Sequence, residues 1–183
     1  DMRSQPPDFE RFLKWADIGA ARAAWAFSRL VDRPVGYDLP ELQSESEGWP
    51  MREQGAWSTG VFFQFDGYLH ACVGILFHQA ASEALVRQVA GLTQGELDPH
   101  VIESALMEVG NILVSHVASA ISDEVGERLL PSIPILAMNH AESKMESWVS
   151  REGGLDPWRI DARLIDNSCQ LSGLLSMFLS RAA

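Results

Sequence analysis

Three residues in the stretch Ser104-Ala-Leu-Met-Glu108-Val-Gly-Asn111 could do chemistry together. At about 100° per residue, a serine, a carboxylate and an amide at this spacing lie within about 60° of one another on a helix. The apolar residues Ile102, Leu106, Val109, Leu113, Val117, Ala120 and Ile121 gather roughly half a turn away. The polar trio is therefore displayed away from the core, on a helix rigid enough to aim it at something outside the chain. Asn is a mildly poor choice inside a helix, and Gly110 beside it costs about 1 kcal/mol relative to alanine. Two unfavourable residues on a face read as outward point to function. Gly110, Ser115 and Ala118 are expected to keep the flanks of the site small, so that another protein can approach closely.

The elements that must position this helix occur twice. At a shift of about 94 residues, Ile18 matches Ile112, Ala24 matches Ala118, Ala26 matches Ala120, Ser28 matches Ser122, Val31 matches Val125 and Pro40 matches Pro134. Each copy predicts a long amphipathic helix, then a short apolar segment ending near the proline (Val35 to Leu39; Leu129 to Ile135). Asp8 after Pro6-Pro7, and Asp98 before Pro99, supply helix starts. A hairpin signal follows in each copy: Val61 to Phe65, Asp66-Gly67, Tyr68 to Phe77; then Arg159 to Ile165, Asp166-Asn167, Ser168 to Phe178. Gln79 to Ala90 reads as a connecting helix and Gly91 to Glu96 as its exit loop. Gln43 to Gly55 reads as a loop or short irregular helix, with Met138 to Val149 in the same place of the second copy. The expected fold is α+β and pseudo-twofold: a six-stranded, mostly antiparallel sheet with two long helices packed on it. One domain spans residues 1–183, with repeat one over about 8–78, the connection over about 79–96 and repeat two over about 98–180.

Composition bounds the function. Hydrophobic residues make up 46% and charged residues 21%, ordinary for a folded chain, and the formal net charge is −11 with scattered Lys and Arg. That balance argues against nucleic acid and anionic membranes as partners. No apolar run reads as reaching the roughly 18 residues a bilayer span needs, and no stretch reads as a signal peptide. Cys72 and Cys169 are too few for a disulfide framework and are expected to be small, buried, reduced thiols. His70, His78, His100 and His140 show no shared metal spacing. His116 is expected at the core edge of the motif helix. Neither a Gly-rich phosphate loop nor a Gly-x-Ser-x-Gly elbow is present. Phe12 and Trp15 fall on the apolar stripe of the first helix, and Trp25 falls off it, reading as a partly buried ring or an interface.

The motif Ser104-x-x-x-Glu108-x-x-Asn111, followed by Ala118-Ser-Ala-Ile-Ser122 and the segment around Pro134, resembles the CheC/CheX/FliY family of chemotaxis phosphatases, over nearly the whole chain. The resemblance implies hydrolysis of the aspartyl phosphate of a CheY-like response regulator in two-component signalling, with the helix inserted into the receiver in trans. It implies that Asn111 orients the attacking water and that Glu108 pairs with a receiver lysine. Ser104 and Ser115 would touch the partner. No cofactor is expected in this chain, Mg2+ belonging to the receiver. A cytoplasmic location is expected, and homodimers occur among CheX-like relatives.

Such chemistry needs positioning and charge stabilisation more than covalent help. The first helix departs from the family pattern: Glu10, Lys14 and Asp17 stand where Ser or Asp, Glu and Asn belong. Lys14 would repel a receiver lysine and Asp17 would turn negative charge toward the phosphoryl group, so this copy is expected to be dead. One intact site makes the chain CheX-like. The rival reading is a non-catalytic docking or adaptor domain that binds a response regulator or a flagellar switch component.

Overall fold

A computed structural model describes residues 9–44, 48–51, 55–67, 70–152, 155–166 and 172–180. In chain order the elements are α1 (Phe9–Val31), β1 (Val35–Tyr37), β2 (Glu41–Ser44), β3 (Thr59–Asp66), β4 (Ala71–Phe77) and α2 (Gln79–Ala90). There follow α3 (Pro99–Val125), β5 (Leu130–Pro131), β6 (Ile135–Ala137), α4 (Ala141–Glu152), β7 (Leu155–Asp166) and β8 (Ser172–Ser180). The order of a long helix, two short strands and a hairpin thus occurs twice.

The strands form one antiparallel sheet in the order β1-β7-β8-β4-β3-β5, with β2 also pairing β7 and β6 also pairing β3. The fold is α+β, as expected, but the sheet has eight strands and not six. The segment Val35 to Leu39 holds only β1, and a further strand, β2, lies beyond it and takes in Gln43 and Ser44, read as loop; Leu129 to Ile135 holds β5 and the start of β6. Proline cannot donate to a ladder, so Pro40 separates β1 from β2 and Pro134 lies between β5 and β6. The pairing crosses between halves. β1 and β2 lie along β7, with Gly36 opposite Ile165 and Leu42 opposite Ile160. β5 and β6 lie along β3, with Phe65 opposite Pro131 and Val61 opposite Leu136. β4 and β8 join the halves at the centre, with Gly74 opposite Ser176.

Both faces of the sheet are covered, which is why β3 and β4 read as nearly continuous apolar runs. Phe63, Phe65, Val73, Ile75 and Phe77 point into the main core beneath α1, α2 and α3. Phe62, Cys72 and Leu76 point the other way, against Trp49, Trp57, Met145 and Trp148. Met138 to Val149, read as a loop or irregular helix, is largely the regular helix α4. Its amphipathic period puts Ala141, Met145 and Trp148 on the sheet. Gly74 leaves the room that Met145 fills.

A polar tie also crosses between halves on this face. Arg159 Nε donates to Asp161 Oδ2 at 2.9 Å, and Ser176 Oγ donates to Asp161 Oδ1 at 2.6 Å. The Arg159 guanidinium also donates to the Gly48 carbonyl and lies 4.6 Å from the centre of the Trp49 ring. Buried charges survive here because they are paired.

The hairpin expected at Asp66-Gly67 forms between β3 and β4, Gly67 taking φ 118°, which few other residues tolerate. Tyr68 of that turn, the Asn167 turn and Cys169 lie outside the described residues, as does Asp8. By length and composition α3 is apolar enough to cross a membrane, but 56% of its most apolar window is buried inside this fold.

Candidate functional site

α3 is fixed along its length. At its start Asp98 caps the helix, its carboxylate accepting from the His100 backbone N–H at 2.8 Å just before Pro99, as the sequence signals. At its end Gly126 adopts the left-handed conformation, and Ser122 Oγ accepts from the Leu129 N–H at 2.9 Å. Between the ends Leu106, Val109, Leu113, Val117 and Ile121 are buried. α1 runs antiparallel along it, Gly19 and the alanines at 16, 20 and 23 permitting close approach to Val117 and Ile121.

Gly110 is where the structure overturns the sequence reading. It is buried, and a Cβ there would come within 2.6 Å of Val61 Cγ1 on β3. Ala118 is buried too. Neither keeps an outer flank small. The glycine is required by helix-to-sheet contact, a constraint invisible without knowing which strand lies beneath.

On the opposite side of α3, Ser104, Glu108, Asn111 and Ser115 are exposed. The first three, with His100, Glu103, Met107 and Ile112, line an open concavity of about 620 Å³. None of Ser104, Glu108 and Asn111 makes a hydrogen bond or ion pair among the described residues. A carboxylate and an amide thus stand fully available on a rigid support.

The corresponding row on α1 is different. Glu10 is exposed. Lys14 forms an ion pair with Glu124 near the end of α3. Asp17 is half-buried near the phenol of Tyr37 on β1, and its Oδ1 is buried without a partner among the described residues. Burial first, then the charge of Asp17, hold the Tyr37 phenol above its ordinary pKa of 10.0. The expectation that Asp17 turns its charge toward a docked partner is therefore corrected: it turns inward.

Beside the α3 row lies an aromatic–cationic patch that the motif does not encode. Trp25 is 47% exposed. Its ring meets His116 edge to face at 5.3 Å, and Arg22 and Arg29 sit 5.6 and 5.2 Å from the ring centre. His116 is half-buried, at the core edge as expected. Phe12 and Trp15 pack into the core with rings 5.5 Å apart. Cys72 is buried, and burial pushes its thiol up to about 11. His78 stacks on Trp57 at 3.8 Å. Among the described residues no His, Cys, Asp and Glu come together as a metal site would need.

The CheC-like family model matches residues 101–136, which hold Glu108, Asn111 and the segment through Pro134. A curated relative, the CheY-P phosphatase CheC of Bacillus subtilis (strain 168), is 24% identical over 130 residues, covering 67% of this chain. The match spans 62% of that relative, less than two thirds of its length. Among solved structures, FliY of Thermotoga maritima superposes with a TM-score of 0.68 at 12% identity, covering 98% of this chain and 93% of that one. CheX in the CheX–CheY–BeF3–Mg2+ complex from Borrelia burgdorferi gives 0.65 at 10% identity, covering 92% and 99%. At such identities the structures speak to fold alone. The family model over residues 101–136 and the CheC relative make the chain similar to CheC-like proteins, and the fold is the one shared by FliY and CheX.

Proposed function

We propose that this chain is a phosphatase of a CheY-like response regulator, acting on the aspartyl phosphate with Glu108 and Asn111 inserted into the receiver in trans. The observation that carries the reading is the row Ser104, Glu108, Asn111, exposed and without internal partners on a helix buried along its other side. The named activity of the CheC relative and the CheX–CheY complex support it. Asn111 holds a water for in-line attack on phosphorus, its amide both accepting from water and donating to a phosphoryl oxygen. The new P–O bond forms as the P–O bond to aspartate breaks, releasing inorganic phosphate and the free carboxylate. Glu108 pairs with a receiver lysine, since a carboxylate beside a phosphoryl group needs a cation between them. Ser104 and Ser115 touch the partner on the same face. Mg2+ resides on the receiver, and the site of action is the cytoplasm, where such receivers work.

The test is the decay of an acyl-phosphorylated receiver domain with wild type and with Asn111→Ala. The expected outcome is acceleration by wild type and its loss in Asn111→Ala, with receiver binding retained. Binding without acceleration by either protein would instead support the docking-module reading.

A further inference from the structure

We propose that Trp25, Arg22 and Arg29 on α1, with His116 on α3, form a second contact that receives an acidic flank of the phosphorylated receiver and selects which receiver docks. The inference rests on the docking of a receiver at Glu108 and Asn111 and names a surface beyond that row.

Position comes first. α1 and α3 run antiparallel, with Lys14 against Glu124, Gly19 against Val117 and Trp25 against His116. Continuing that register one turn beyond Trp25 brings Arg29 level with Ile112 and Asn111. A body seated over Asn111 therefore meets the patch.

Charge comes second. The chain carries a formal net charge of −11, which repels an acidic partner at long range. Several cations are neutralised within the fold: Lys14 by Glu124, Arg159 by Asp161 and Arg163 by Asp38. Arg22 and Arg29 have no carboxylate partner among the described residues and lie on the Trp25 ring instead. Two guanidiniums beside a half-exposed indole combine the residue types that dominate binding energy at interfaces. Carboxylates on the flank of the receiver site fit this patch of two guanidiniums. Lysine at either position would keep the charge but lose the planar stack and the bidentate grip on a carboxylate.

The experiment measures receiver dephosphorylation against receiver concentration for wild type and for the double variant Arg22→Glu/Arg29→Glu. Lys144→Glu/Arg151→Glu, on the opposite side of the sheet, serves as the charge-matched control. The expected result is a KM raised at least tenfold in the first variant, with kcat within twofold, and no change in the control. Raising salt from about 50 to about 300 mM should raise the wild-type KM and lower that of the charge-reversed variant. Arg22→Gln/Arg29→Gln, milder on folding, should give an intermediate KM. Equal KM shifts in variant and control, or no shift in either, would overturn the second contact while leaving the phosphatase reading intact. Failure of wild type to bind any receiver would sink both.

Discussion

Glu108 and Asn111 on α3 stand clear of the rest of the chain, whereas their counterparts on α1, Lys14 and Asp17, are engaged with Glu124 and Tyr37. The two helices, of 23 and 27 residues, pack against each other on the same face of the sheet, and they differ in what each outer row touches. A row freed for a partner must leave its polar groups uncommitted, which is tolerable only because water solvates them until docking. A row relieved of that duty can be turned to internal bonding, and that of α1 has been. The polar groups of α1 at these positions are spent within the fold.

The most forceful way to break this contrast is Asn111→Ala, expected to lower receiver dephosphorylation by about a hundredfold or more, in line with loss of a single positioned donor in other enzymes. Gly110→Ala is next. It should destabilise the fold by about 1–3 kcal/mol in denaturant titration, because a strand side chain must move. Gly19→Ala, with its nearest neighbour a more tolerant 3.3 Å from the new Cβ, should stay within about 1 kcal/mol of wild type. The pair sharpens the comparison: α3 meets the sheet at Gly110 more tightly than α1 meets α3 at Gly19.

Restoring the motif on α1 with Lys14→Glu/Asp17→Asn should not rescue activity in an Asn111→Ala background. The introduced amide would remain turned to Tyr37, and the introduced carboxylate would face Glu124, at a stability cost of up to about 1 kcal/mol. Recovery of dephosphorylation would show that α1 is degenerate in residue type alone.

The smallest effect expected concerns Tyr37. Its phenol has a raised pKa in the folded state, so its contribution is fully present below pH 10.0 and declines as pH rises from there through the folded value. Tyr37→Phe should remove that part of the alkaline loss of stability, read as a shallower fall in Tm above pH 10.0 than in wild type.

Local signals were legible in the sequence. Asp98-Pro99 marks the start of α3, Gly91 the end of α2, and Asp66-Gly67 the first hairpin, because caps and turns depend on residues a few positions apart. The outward face of Ser104, Glu108 and Asn111 followed from helical period alone. What stayed hidden depends on distant partners. Nothing near Val35 or Glu41 announces that their strands lie along β7, and nothing near Gly110 announces Val61. Arg22 and Arg29 read as ordinary surface cations until α1 is seen to hold both against one indole.

The exchanged strands carry a last implication. Each half supplies the outer strands of the other half's hairpin, like two hands clasped with fingers interleaved. The two halves therefore cannot drift apart into separate modules, however far their sequences diverge. Parting the backbone between Gly91 and Asp98 would leave two fragments, each completing the other's sheet, so that the fold would return only when the two are mixed.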